Sequence, residues 1–260
     1  QRNSIYRMAA HHSIRIAVGG GDTDKPLSLQ KRLRLLQDHM TLSGAKILDC
    51  GCGAGAYLLA FLELGADAYG IEYSVDKVSQ YQSRGLHTDR VNQGDLEKIH
   101  YPSNTFDLAL LNEVLEHVPD DGRALSEIFR VLKPGGYLAL FSPNRLYPFE
   151  THGITLRCCR LKLPPCFPFI PYVPLAIGRR LFDFHARNYF GQDLCRLLDQ
   201  AGFQVRYRTW LWQTFENISG QQPAIIRWLR PIFRGIANCL ERCPGLRRFG
   251  VSQVLLCQKP

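Results

Sequence analysis

Residues 46–65, KILDCGCGAGAYLLAFLELG, pass from a five-residue apolar run through a turn holding three glycines into an apolar helical stretch that another glycine stops. A strand that runs straight into a helix cannot fold back as a hairpin. Its next strand neighbour must be reached by a crossover, which makes the sheet parallel. The alternation then repeats. DAYGIEYS reads as a strand and VDKVSQYQSRG as a helix, DRVNQGD as a weaker strand and TFDLALLN as a strong one. DDGRALSEIFRVLKPGG reads as a helix begun by aspartate and stopped at Pro134, Gly135 and Gly136, feeding the strand YLALFS. After a break, GQDLCRLLDQAGF (helix), QVRYRTWLW (strand) and a final VSQVLLCQ (strand) restore the pattern.

The expected architecture is one α/β domain of 260 residues with decorations. Residues 1–45 form a helical extension, 46–145 the ligand-binding core, 146–190 an insertion or lid, and 191–260 a carboxy-terminal part. Within the insertion, LPPCFPFIPYVPLAIG carries five prolines in an apolar stretch, which excludes a regular helix and disfavours a central strand. Charge is divided along the same boundaries. Residues 46–145 carry nine Lys/Arg against fourteen Asp/Glu, whereas residues 206–260 carry nine against two. An anionic partner therefore belongs to the periphery rather than the centre.

The glycine turn alone suits several ligands, and its neighbours narrow them. A P-loop needs Gly-Lys-Ser/Thr, which is missing, and a dinucleotide fingerprint needs GxGxxG, where this chain has Gly51, Gly53 and Gly55 as GxGxG. Asp49 just ahead would repel a pyrophosphate but attract a ligand carrying ammonium and sulfonium groups. S-adenosylmethionine is such a ligand. Glu72, 17 residues beyond Gly55, can accept its ribose hydroxyls, Asp95 its adenine amino group, and Asn112 can support its methionine end. All four follow or end successive strands, where open α/β sheets bind ligands. Read singly, each is also an ordinary turn former, strand end or cap. The nine cysteines form no CxxC pair and no zinc spacing, so no metal is expected and Cys50 and Cys52 read as free thiols.

ILDCGCGAG, GIEYS, GDLEKI, FDLALLNEVLEHV and LKPGGYLALFSPN resemble the successive motifs of class I S-adenosylmethionine-dependent methyltransferases. The likeness is to the type 11 branch that is similar to ubiquinone- and menaquinone-biosynthesis enzymes. It covers residues 40–145, more faintly to 210. The resemblance implies a Rossmann-like, mostly parallel seven-stranded sheet with an antiparallel last strand and helices on both faces. It implies S-adenosylmethionine as cofactor, with Asp49, Gly51, Gly53, Glu72, Asp95, Leu96 and Asn112 at cofactor-binding positions. It leaves the acceptor open.

A hydroxyl acceptor would need a general base. His152 in ETHG and His185 in FDFHARNYF are the candidates, with His117 in LEHV and Glu150 behind them. Each also reads as a hydrogen-bonding residue of a lid or turn. Base methylation of nucleic acid is disfavoured because NEVLEHV replaces the Asn/Asp-Pro-Pro-Tyr/Phe type of segment, and no RNA- or DNA-binding appendage is recognisable. A non-catalytic module that binds the same ligand stays open, and an oxidoreductase would show itself by binding nicotinamide. Residues 223–248 place apolar positions at three- and four-residue steps between arginines, with Pro231 expected to kink or divide the helix. That pattern suits either packing on the sheet or an anionic membrane surface. With no apolar run of 18 residues, no signal-like start and free thiols, the expectation is a cytoplasmic chain, peripheral to a membrane if the second alternative holds. An apolar lid beside such a helix would suit a lipophilic acceptor.

Overall fold

The computed structural model describes residues 26–85, 87–163, 167–215 and 224–260. Most of the amino-terminal extension, residues 1–25, lies outside the described residues. Helix α1 (Leu27–Gln37) comes next, with Leu29, Leu33 and Leu36 buried at three- and four-residue steps.

The core strands are β1 (Lys46–Cys50), β2 (Asp67–Glu72), β3 (Val91–Gln93), β4 (Phe106–Asn112), β5 (Leu132–Pro143), β9 (Gln204–Leu211) and β10 (Ser252–Gln258). They form one sheet in the order β3-β2-β1-β4-β5-β10-β9, in which only β10 runs against its neighbours. Helices α2 (Ala56–Glu63), α3 (Val75–Gln82), α4 (Asp121–Val131) and α6 (Gly191–Gln200) make the crossovers. Period-two alternation in the strands sends side chains to opposite faces. Ile47, Leu108, Leu110 and Phe141 pack under α1, α2 and α3. Leu48, Ala109, Leu111 and Leu140 pack with Leu125 and Ile128 of α4 and Leu194 and Leu198 of α6.

Two expectations are corrected. The insertion is more regular than its prolines suggest. Strands β6 (Ile154–Leu156), β7 (Lys162–Leu163) and β8 (Phe182–Phe184) make a small antiparallel sheet, and α5 (Leu175–Leu181) follows Pro174. Ile154, Ile170 and Phe182 give this unit its own core. Proline is tolerated just ahead of a helix, where its missing N–H would have had no partner. Of the two outcomes expected at Pro231, division is the one overturned: helix α7 (Ala224–Arg242) continues through the proline, and the break falls at Cys243, before the short α8 (Pro244–Arg247). Phe233, Ala237 and Leu240 beyond the proline are partly or fully buried, and that packing offsets the one lost hydrogen bond.

Candidate functional site

The turn after β1 is shaped by its glycines. Gly51 has φ +75°, and a Cβ there would stand 2.6 Å from the Val114 side chain; Gly55 has φ +86°, and a Cβ there would meet the Tyr81 ring at 2.5 Å. At these two positions any side chain is excluded both by sterics and by the left-handed backbone. Gly53 faces open space instead. Its amide donates to Glu72 Oε2 at 2.8 Å, and the Ser74 amide donates to Glu72 Oε1 at 2.9 Å. The Glu72 carboxylate, only 7% exposed, is thereby fixed beside the turn with acceptor capacity to spare.

Asp49 is the most telling residue of the turn. It is 2% exposed, and its Oδ2 is buried without a hydrogen-bond partner. Burial pushes its pKa up to about 7, with the Glu72 charge adding and the Leu58 amide opposing. A buried, unsatisfied carboxyl group costs stability unless something offsets it. Cys50 and Cys52 beside it are buried free thiols whose ionisation burial suppresses.

The far end of the cradle carries a residue that no motif announces. Arg32 of α1 donates to Asn112 Oδ1 and, at 2.7 Å, to Glu113 Oε1, and its guanidinium lies 5.0 Å from the Phe141 ring centroid. The amino-terminal helix thus brings a cation to the residue expected at the methionine end. Glu113 itself has φ +54°, a strained conformation for a non-glycine residue, and also accepts from Ser252 Oγ at 2.7 Å. Asp95 is exposed and accepts the Glu97 amide at 2.9 Å, while Leu96 is buried among Leu48, Cys50 and Ile71. A ligand with sulfonium, ribose and amino-acid portions fits these residues: Asp49 offers an unpaired acceptor, Glu72 a fixed carboxylate, Gly53 clear space and Arg32 a counter-charge.

Beyond the turn after β4 lies a cavity of about 440 Å³, whose lining includes Glu116, His117, Arg145, His185, Tyr189 and Phe190. Glu116 is 3% exposed, and neither carboxylate oxygen has a hydrogen-bond partner. Burial, then the Glu113 charge, pushes its pKa up to about 9, so it is protonated at neutral pH. His152 Nε2 stands 3.7 Å from Glu116 Oε1, and its ring meets the His117 ring edge-on at 5.2 Å between centroids. Burial, then His152, lowers the His117 pKa below the ordinary value. The carboxylate of Glu116 and the ring nitrogens of His117 and His152 lie within 4.8 Å of one another, a spacing that could hold a divalent cation. No Cys/His spacing pointed to this group, because it joins a turn to the start of the insertion.

The structure separates the two candidate bases. His152 enters that cluster, whereas His185 is exposed, borders the cavity and has its Nε2 3.0 Å from Thr155 Oγ1. Glu150 is buried in a structural role. It accepts the Thr151 and His152 amides at 3.0 Å each and the Asn188 amide group at 3.2 Å. Arg187 donates to Asp121 at 2.9 Å, and the Tyr189 hydroxyl donates to the same carboxylate at 3.0 Å, closing the cavity's outer wall.

Comparison with known proteins fits this geometry. The profile of a family described as a methyltransferase domain matches residues 48–140. A protein of Mycolicibacterium smegmatis named a probable S-adenosylmethionine-dependent methyltransferase is 28% identical over 165 residues, covering 63% of this chain and 53% of its own length. A ubiquinone biosynthesis O-methyltransferase of Psychrobacter arcticus is 35% identical over 116 residues, 41% of this chain and 44% of its own. The chain spans about half the length of these curated relatives. The crystal structure of an S-adenosylmethionine-dependent methyltransferase from Mesorhizobium loti shares the fold, with a TM-score of 0.56 at 19% identity, covering 88% of this chain and 96% of that one.

Proposed function

We propose that this chain, a member of the class I S-adenosylmethionine-dependent methyltransferases by its residues 48–140, methylates a hydroxyl group on a small or lipophilic acceptor. The observation that carries the donor side is the buried, unpartnered Asp49 oxygen beside the fixed Glu72 carboxylate. S-adenosylmethionine supplies an electrophilic methyl on a cationic sulfur. The chain supplies everything else. Asp49 and Glu72 hold the amino-acid and ribose portions, Arg32 and Asn112 face the methionine carboxylate, and the glycine turn lets the ligand approach the backbone. Displacement at the methyl needs alignment and a dry site, and the cavity beside Glu116 offers a place for the acceptor.

On the acceptor side, His117 borders the cavity and His152 stands behind it. His117, whose pKa is lowered, can take the acceptor's proton at pH 7, with the His152 ring edge-on beside it and the buried Glu116 carboxyl 3.7 Å from His152 Nε2. The same three side chains suit a divalent cation. Dialysis against EDTA is expected to leave the rate unchanged; a loss restored by Mg²⁺ or Mn²⁺ would replace the base by an ion.

The direct test uses S-adenosylmethionine tritiated in its methyl group with a panel of phenols and prenylated quinols. Label is expected in organic-extractable methyl ethers. Tight donor binding with no transfer to any acceptor, or transfer into RNA, would sink this reading in favour of a binding module or an RNA enzyme.

Donor affinity should also depend on pH. Asp49 carries a folded pKa raised to about 7, so it is protonated below that value and loses its charge as pH falls. A cationic ligand binds the ionised form. Calorimetry should therefore show affinity falling roughly eightfold from pH 7.5 to pH 6. Asp49→Asn should bind weakly and flatly over that range, and a flat profile in the unaltered protein would contradict the assignment.

A further inference from the structure

The carboxy-terminal helix α7 has two apolar faces, and only one of them is used. Leu229, Phe233, Ala237 and Leu240 turn inward, with Ala237 2% exposed and the Phe233 ring 5.5 Å from that of Phe215. On the adjoining side, about a quarter-turn round the helix, Trp228, Ile232 and Ile236 recur every fourth residue and are 79%, 60% and 52% exposed. A core-packed helix needs one apolar stripe. The second one leaves large hydrophobic side chains in water, which is the mark of an interaction surface.

Its surroundings are basic. Residues 224–250 contain six arginines and a single acidic residue, Glu241, although Arg234 donates to the Thr214 carbonyl and Arg247 to the Glu241 carbonyl. Glu241 is already engaged, by Lys31 Nζ at 2.5 Å and by the Trp212 amide at 2.7 Å, so it does not offset the outer face. Arg242 and Arg248 are exposed, and Leu246 and Phe249 continue the exposed apolar surface beyond α7. The contacts of Glu241 also locate the helix. Trp212 comes directly after β9 at the carboxyl edge of the sheet, and Lys31 precedes the Arg32 that reaches Asn112.

We propose that the outer face of α7 docks on an anionic lipid bilayer, with Trp228, Ile232 and Ile236 entering the headgroup boundary and the exposed Arg242 and Arg248 meeting lipid phosphates. A helix with exposed aromatic and aliphatic residues along one side and exposed arginines at and beyond its carboxyl end suits such an interface. Each basic residue near an anionic surface adds attraction, and the effect is screened by salt. A second copy of the chain suits the face poorly, since two such faces would oppose their arginines. No helix among the described residues is long and apolar enough to cross a membrane, so the contact is peripheral.

The test is co-sedimentation of the full chain with phosphatidylglycerol vesicles or with phosphatidylcholine vesicles at low salt. The chain should pellet with the anionic vesicles and be released from them by added salt. Replacing Trp228→Ser and Ile232→Ser together should lower the partition coefficient about tenfold or more. These side chains are exposed, so donor affinity by calorimetry should not change, which separates lost docking from lost folding. Arg242→Glu with Arg248→Glu should abolish the preference for anionic vesicles. Three results overturn the proposal: no pelleting with lipid in excess, equal pelleting of the Ser double variant, or a dimer in solution that the same substitutions dissociate. Vesicle binding is read without donor or acceptor, so its failure is distinct from a failure of methyl transfer.

Discussion

Glu72→Ala is expected to weaken S-adenosylmethionine binding by at least 100-fold in calorimetry. Two hydrogen bonds from ribose hydroxyls to a carboxylate at this position contribute about 1.5–3 kcal/mol each. Part of the loss is indirect, because Glu72 also accepts the Gly53 and Ser74 amides and so holds the turn itself. Glu72→Gln separates the two contributions. It keeps one amide-accepting oxygen but replaces the other by a donor and removes the charge, so it should retain the fold and still bind poorly. Thermal unfolding provides the control. Unchanged donor affinity in a folded Glu72→Ala variant would show that the ribose lies elsewhere.

His117→Ala and His152→Ala should each lower kcat by about 10²- to 10³-fold at saturating donor, within the range that a positioned general base contributes. His185→Ala should cost less than about tenfold, because its Nε2 is engaged with Thr155 rather than with the buried Glu116. The pH profile has a defined sign. A base must be neutral to act, and the His117 pKa is lowered, so kcat should be flat at pH 7 and above and fall on the acid side of about 6.5. Saturating donor keeps the Asp49 titration out of this measurement. If His185→Ala were the damaging substitution, the base would sit just after the insertion's strand β8 rather than in the cluster beside β4.

The donor half of the site is legible in the sequence because its residues are local. Asp49, Gly51 and Gly53 fall within five positions, and Glu72 and Asn112 end short, largely apolar strands. Arg32 carries no such signal. Its position on α1 reads as a solvated face, and only tertiary packing brings it to Asn112, 80 residues further along the chain. Glu116 escapes sequence reasoning for the opposite reason. A glutamate in a polar turn is ordinarily exposed, and nothing in LEHV announces that the adjoining insertion will bury it. The insertion departs from expectation because five prolines argue against long regular elements, not against two- and three-residue strands and a seven-residue helix that begins after a proline. Pro231 departs from it in the same way, since a 19-residue helix with a packed inner face tolerates one missing hydrogen bond.

Strand β10 lies between β5 and β9 and pairs with both along its full length, from Ser252 to Gln258. It is thus a keystone that the ribosome delivers after the strands it joins. While the chain is being made, β5 and β9 each present an unpaired edge, and β9, α7 and α8 have no route into the sheet. The donor cradle, built from β1, β2 and β4, can assemble early, whereas the basic, apolar-faced α7 waits in the open until the residues behind it emerge. Nascent chains of this protein therefore complete the turn after β1 well before the open strand edges and the inner face of α7 are covered.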